Sequence, residues 1–374
     1  MLEVADIVRR HETEYRDQFG SQLTSAQKKA LRDIQNCRTP VLGGQIYQCD
    51  HCQEKRYSYH SCRNRSCPKC HRDQSERWVA KQRQRLPSCP YYLITFTLPE
   101  SLRPLARLQP KLLYGLLMKT AAAALHKLAD DPRFLGARLG ALAVLHTWTR
   151  AMLFHPHVHM LVTAGGLSAD GQRWVSPKNP KFLVPVRALS IIFAAKMRAA
   201  LKKARLLDQA PSQVWNKPWV VHCQHAGSGE KVLDYLGRYV FRIAITNSRL
   251  ESFENGQVTF RYRDNRSGEM KRCTLRAGEF LERFLLHVLP RGFTKVRYYG
   301  VYSPSRAPDL DRFRTLLGTP TVRNSQAATP SNESATESVA VDARSAFGPL
   351  CTVCRLGHLR IVENIPRLRS RAPP

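Results

Sequence analysis

Apolar positions recur at helical spacing through residues 1–36. Leu2, Ile7 and Val8 mark one stripe, and Ser25 is placed to cap a second helix that holds Leu31 and Ile34. A basic stretch from about 72 to 85 reads as a further helix. The pattern then changes, because residues 91–98 (YYLITFTL) form a continuous apolar run of strand length. A leucine- and alanine-rich segment, about 103–129, returns to helical character. Strands follow at about 141–148 and 153–163, and Asp170-Gly171 signals a turn. A helix at about 189–206, a strand at 219–224 and a helix at 229–243 complete this run. The order β-α-β-β-α-β-α places the chain in the α+β class, as a ferredoxin-like (split βαβ) sheet with one added helix.

Beyond that run, alternation at 257–262 and 270–275 predicts a hairpin, and 277–289 a helix. Four regions result. Residues 1–85 are a helical N-terminus with a cysteine-rich module, and 86–317 are the sheet domain with a helical and hairpin C-terminal extension. Residues 318–346, rich in Ser, Thr, Ala and Asn and poor in large apolar residues, are expected to be a disordered linker. Residues 347–374 form a basic tail.

Charge narrows the function. Lys and Arg number 59 against 29 Asp and Glu, a formal net charge of +30 spread along the whole chain. Such self-repulsion calls for a polyanionic partner, and nucleic acid is the leading one. The plainer alternative is a merely solubilising positive surface. No apolar stretch reaches the roughly 20 residues of a membrane span, and the first ten residues do not resemble a signal peptide. A cytoplasmic, nucleoid-associated protein is therefore expected, with the eleven cysteines as thiols or metal ligands rather than disulfides.

Six of those cysteines lie between Cys37 and Cys70. Cys49-x2-Cys52 and Cys67-x2-Cys70 each present two thiolates to one face of an ion, so this four-cysteine set is expected to hold one structural Zn2+ in a ribbon-like module. Free or redox-active thiols are the alternative. Cys62, Cys37, His60 and His71 are near enough to join or to build a second site. Cys351-x2-Cys354 is half of another knuckle, incomplete by itself. Arg63, Arg65 and Lys69 beside the module are candidate phosphate contacts.

Two further strings carry chemistry. In Phe154-His155-Pro156-His157-Val158-His159, alternate positions of a strand share a face, so the three imidazoles point one way while Val158 and Met160 point into the core. Pro156 lacks an N–H, which makes His157 and His159 the better-fixed metal ligands. In Tyr235-Leu236-Gly237-Arg238-Tyr239 two phenols stand at i and i+4 on one helix face. Surface histidines and buried core tyrosines are the respective alternatives. Arg238 and Arg242 would hold phosphates near the phenols.

The ordered set of Cys49–Cys52, SCRNRSCPKC (61–70), FTLPE (96–100), HTW (146–148), HPHVH (155–159), VLDYLGRYV (232–240) and EFLERFLLHVLPRGF (279–293) resembles the rolling-circle insertion-sequence transposases of the two-tyrosine HUH type with an N-terminal zinc-binding region. The resemblance spans about residues 37–300. Ser66 stands where the family often has His, and Thr149-Arg150 where it often has Gly-Gln. What the resemblance implies is an HUH endonuclease core with His157 and His159 on Mg2+ or Mn2+, Tyr235 and Tyr239 as nucleophiles, and single-stranded or hairpin DNA ends as partner.

The chemistry agrees with that implication. A phenol of pKa near 10 is ionised to about one part in a thousand at neutral pH, so the charge developing in phosphoryl transfer needs a stabiliser. Energy retained in a 5′-phosphotyrosine removes any need for ATP, and Gly227-Ser228-Gly229-Glu230-Lys231 does not match a phosphate-binding loop. Asp234 and Gln224 are candidates for a third metal ligand. The competing readings are a zinc-ribbon DNA-binding protein without catalysis and a rolling-circle replication initiator.

Overall fold

A computed structural model describes residues 1–179, 183–228, 243–265, 267–318 and 348–368. Tyr235, Tyr239, Arg238, Arg242 and Asp234 lie outside the described residues, as do residues 319–346 of the expected linker.

Helices α1 (Val4–Phe19) and α2 (Ser25–Gln35) open the chain. Ser25 is the first residue of α2 rather than its cap. Thr24 holds that place: its side chain accepts from the Gln27 N–H while the Gln27 side chain reaches back to the Thr24 N–H. Strands β1 (Gly44–Cys49) and β2 (Lys55–Tyr59) and helix α3 (His71–Arg85) follow. Next come β3 (Pro90–Thr97), α4 (Arg103–Leu108), α5 (Pro110–Ala129), β4 (Arg138–Trp148), β5 (Phe154–Leu167) and β6 (Trp174–Val175). Helix α6 (Val186–Lys203) and β7 (Val221–Ser228) lead to β8 (Leu250–Glu254), β9 (Gln257–Arg263) and β10 (Met270–Arg276). The chain closes with α7 (Ala277–Leu285), β11 (Val296–Gly300), α8 (Ala307–Leu316) and β12 (Leu359–Ile365). No helix among the described residues is long and apolar enough to cross a membrane.

The helix expected over 103–129 is broken. Pro110 disfavours helical backbone at the preceding residue, and Gln109 accordingly leaves the helical region at φ −123°, ψ 54°. The helix expected over 277–289 stops at Leu285, short of Pro290.

The central sheet runs β11-β4-β5-β3-β7, antiparallel throughout, with β6 attached to β5. Its period-2 patterning sorts the two faces. Tyr92, Ile94 and Phe96 of β3, Ala141, Ala143 and Leu145 of β4, and Val158, Met160 and Val162 of β5 pack against Leu117, Leu125, Phe193 and Met197 of α5 and α6. Tyr91, Leu142, Val144 and Leu161 take the opposite face, where Tyr302 and Phe313 cover one end. The other end of that face carries the histidines.

A second core is not confined to residues 1–85. It gathers Ile7, Val8, Leu31 and Ile34 from α1 and α2, Cys37, Cys67 and Cys70, Trp148 from β4, Val258 and Phe260 from β9, and Phe280, Leu281 and Phe284 from α7. The three-stranded sheet β10-β9-β8 belongs to this unit. A third sheet, ordered β12-β1-β2, joins the two sequence extremes of the described chain.

Candidate functional site

Three imidazoles converge on the sheet face opposite α5 and α6. His157 pairs with Thr97 on β3 and with His146 on β4, while His159 pairs with Thr95 and Val144. The ring centroids stand 5.5 Å apart for His146 and His157, 4.9 Å for His146 and His159, and 4.8 Å for His157 and His159. One nitrogen from each ring lies within 4.8 Å of the other two, a spacing one divalent ion can close.

The rings are held for that task. Nδ1–H of His157 donates to its neighbour's carbonyl, His155 O, at 2.7 Å, which leaves Nε2 as the bare nitrogen. Nδ1 of His159 shares a hydrogen bond of 3.0 Å with Thr95 Oγ1. Burial pushes the His157 pKa down to about 4, so the ring is neutral and its lone pair available at physiological pH. His155, the third histidine of its string, is diverted: Arg103 Nη2 donates to its Nδ1 at 2.8 Å.

His146 reaches this face by plain alternation with Leu142 and Val144: Leu142 pairs with Leu161, Val144 with His159 and His146 with His157 in unbroken register. The register shifts only beyond it, between His146 and Trp148, so that Trp148 opposes Phe154. Trp148 stacks on His146 with centroids 4.8 Å apart and planes at 23°. Behind it His287 is locked, Nδ1 bonded to Thr147 Oγ1 at 3.2 Å and Nε2–H to Met152 O at 3.1 Å. Lys295 lies over the Trp148 ring at 5.1 Å, and burial pulls its pKa down to about 7. Of the two expected third ligands, Asp234 lies outside the described residues. Gln224 is exposed and pairs with Leu93, two residues along β3 from Thr95.

The cysteines group differently from the expectation of one site built by Cys49, Cys52, Cys67 and Cys70. Cys67 and Cys70 gather with Cys37 and Cys62, whereas Cys49 and Cys52 gather with Cys351 and Cys354. The two CxxC turns are separated by β2 and the segment after it, so each finds a different partner. In the first cluster the Sγ atoms of Cys37 and Cys62 lie 3.4 and 3.5 Å from Cys70 Sγ. A Zn–S bond of about 2.3 Å implies tetrahedral S···S edges of about 3.8 Å, close to these distances. The four thiols sit close enough to perturb one another strongly: their mutual contacts pull Cys70 and Cys37 below the ordinary range and push Cys62 and Cys67 above it. Cys62, read only as a supplementary zinc ligand, is thus a full corner of the set.

The basic residues divide as well. Arg65, expected on DNA, turns its guanidinium to the carbonyls of Phe293, Leu289 and Pro290 at 2.7, 2.7 and 2.6 Å, tying the cysteine loop to the segment after α7. Lys69 pairs with Glu3 at the start of α1. Arg63 is exposed, on left-handed backbone at φ 53°. Arg103 and Arg107 flank the histidine strand, the first on His155 and the second over the Phe154 ring at 5.3 Å.

Comparison with known proteins gives two family matches. Residues 140–309 match the family described as "Putative transposase", and residues 7–98 a "Transposase zinc-binding domain". The protein described as "Putative transposase y4qJ" from Sinorhizobium fredii is 41% identical over 339 residues, 84% of each chain. The "Transposase for insertion sequence element IS801" of Pseudomonas savastanoi pv. phaseolicola is 30% identical over 303 residues, 72% of this chain and 70% of that one. No solved structure matches the chain significantly.

Proposed function

This chain belongs to the transposases that carry the IS91-type zinc-binding domain, and we propose that it cuts and rejoins single-stranded DNA at its histidine cluster. The observation that carries the reading is the convergence of His146, His157 and His159 beside Thr95 on one sheet face. The strand order within the sheet supports a ferredoxin-like HUH core: taking β3, β4, β5 and β7 as first to fourth, they lie second, third, first, fourth.

Mg2+ or Mn2+ held by these imidazoles would supply positive charge to the scissile phosphate and to the departing 3′-oxygen. The chain's own residues do the rest. His157 stays neutral, and both its ring and that of His159 are fixed through His155 O and Thr95, so the site needs no rearrangement before substrate arrives. Arg103 and Arg107 provide positive charge beside the strand on which the DNA backbone would lie. The phenol of Tyr235 or Tyr239 loses its proton and attacks phosphorus. A P–Oη bond forms, the P–O3′ bond breaks, and the 3′-oxygen leaves to become a 3′-OH. The 5′-phosphotyrosine keeps the ester's energy, and attack by a 3′-OH restores the DNA and the phenol. Two phenols permit two linked transfers, as movement of an insertion sequence by a rolling-circle route requires.

The test is a labelled single-stranded oligonucleotide from the element's end, incubated with Mn2+ or Mg2+. A nick with a detergent-resistant adduct, abolished by chelation, is expected. Binding without any nick or adduct in either metal would leave a DNA-binding protein instead.

A further inference from the structure

We propose that Cys49, Cys52, Cys351 and Cys354 bind a second zinc ion, which staples the C-terminal segment onto the N-terminal ribbon. The matched zinc-binding domain ends at residue 98, so two of these ligands lie far outside it. Cys49 Sγ stands 3.7 Å from Cys354 Sγ, and Cys52 Sγ 3.8 Å from Cys351 Sγ. Both lengths equal the S···S edge of about 3.8 Å in a tetrahedral zinc thiolate and far exceed a disulfide bond of about 2 Å.

The surroundings are built for a closed site. Cys49 and Cys351 are fully buried and pack with Leu359. Each knuckle turns its N–H groups to its own sulfur: His51 N and Cys52 N donate to Cys49 Sγ at 3.4 and 3.5 Å, and Gly357 N donates to Cys354 Sγ at 3.5 Å. The two loops also grip each other. Asp50 N donates to His358 O at 3.1 Å, and His358 N donates to Asp50 Oδ1 at 2.8 Å. Arg360 Nε reaches Asp50 Oδ2 at 3.3 Å. A Cβ on Gly357 would lie 2.6 Å from Cys49 Sγ and 2.5 Å from His51 Cβ, so the knuckles close only around glycine. Antiparallel pairing of β12 with β1, from Gly44 opposite Ile365 to Cys49 opposite Leu359, delivers the second knuckle in register.

Four thiolates leave no position for water, so the ion's role is structural. It holds together segments 299 positions apart. Without residues 348–368, Cys49 and Cys52 would be an unfinished pair.

The full chain with the histidine site removed by His157→Ala/His159→Ala, purified with zinc and dialysed, should contain two zinc ions by elemental analysis. The Cys351→Ser/Cys354→Ser double variant in the same background should contain one. Cobalt substitution should give a thiolate-to-metal absorption band about half as strong in the variant as in the parent. A variant that keeps two ions overturns the proposal. Should the variant fail to fold, the unaltered protein still decides by alkylation with peptide mapping. Exposed Cys52 and half-exposed Cys354 should resist N-ethylmaleimide until a chelator is added. Rapid labelling of both in the metal-loaded protein, or a disulfide found between them by mass, overturns the proposal equally. Neither readout depends on DNA cleavage.

Discussion

His146 stands directly opposite His157 across β4 and β5, the rings meeting edge to face with centroids 5.5 Å apart. Their contact joins two separate sequence motifs into one ligand set. His146→Ala should therefore cost nicking about 100-fold or more, as should the His157→Ala/His159→Ala double change. Single-strand affinity should stay nearly intact, because it rests on many phosphate contacts. Nicking by His146→Ala at wild-type rate would remove His146 from the set.

Thr95 orients His159 through a 3.0 Å hydrogen bond. Thr95→Val keeps the shape and deletes the bond. A loss of about 10–100-fold in metal affinity is expected, with nicking restored at saturating Mn2+. Nitrogen donors favour Mn2+ over Mg2+, so the midpoint for Mn2+ should be the lower one. A variant whose midpoint is unmoved would assign Thr95 to packing alone.

Each Tyr→Phe change at Tyr235 and Tyr239 removes a single oxygen and should leave DNA affinity unchanged. One remaining phenol should still give a covalent adduct but no complete strand transfer, and the double change no adduct at all. Peptide mass of a trapped adduct locates the nucleophile. An adduct on Tyr262 or Tyr298 would overturn the assignment.

Burial of the His287 ring between Thr147 and Met152 pushes its pKa down to about 4 from an ordinary 6.5. In the unfolded chain it takes a proton near 6.5, in the folded one only near 4. Its stabilising contribution is thus complete above pH 6.5 and is lost as pH falls from 6.5 towards 4. The loss approaches about 3 kcal/mol at one proton, or about 1.4 kcal/mol per pH unit. Urea melts of wild type and His287→Gln across pH 4–7.5 should converge towards acid. Parallel curves would falsify the assignment.

Arg65 and Arg63 should separate stability from DNA binding. Arg65→Ala strands the three carbonyls of Leu289, Pro290 and Phe293, and a loss of about 1–3 kcal/mol is expected in denaturant. Arg63→Ala should leave the melt unmoved and flatten the salt dependence of DNA binding by about one ion. The reverse pattern would exchange their roles.

Period-2 and helical patterning placed the strands and helices because each buries one clear face. Val158 and Met160 do face α5 and α6, as their alternation with the histidines requires. The site was only partly legible. His146 was visible as part of HTW, and it shares a face with Leu142 and Val144 by alternation, but its place opposite His157 is set by the strand register, which composition does not state. The cysteine spacing located the metal-binding turns but not their pairing. Proximity in sequence favoured Cys67 and Cys70 as partners of Cys49, whereas β12 brings Cys351 and Cys354 back over β1. The unmatched pair at 351 and 354 was the available signal. Arg65 reads as a phosphate ligand by charge alone, since backbone carbonyls as its partners arise only from the fold.

The pairing of β12 with β1 also sets an order of events during synthesis. The positions of Cys52 and Cys351 are 299 residues apart, so at about 5–20 residues per second roughly 15–60 s separate their emergence from the ribosome. Through that interval β1 is paired by β2 alone and one edge lies open, a surface on which another nascent chain can add a strand. The ribbon becomes whole only when translation has run past residue 365. A gene copy interrupted anywhere upstream would therefore yield a chain whose N-terminal ribbon lacks its third strand, however intact the interrupted copy's own N-terminal sequence.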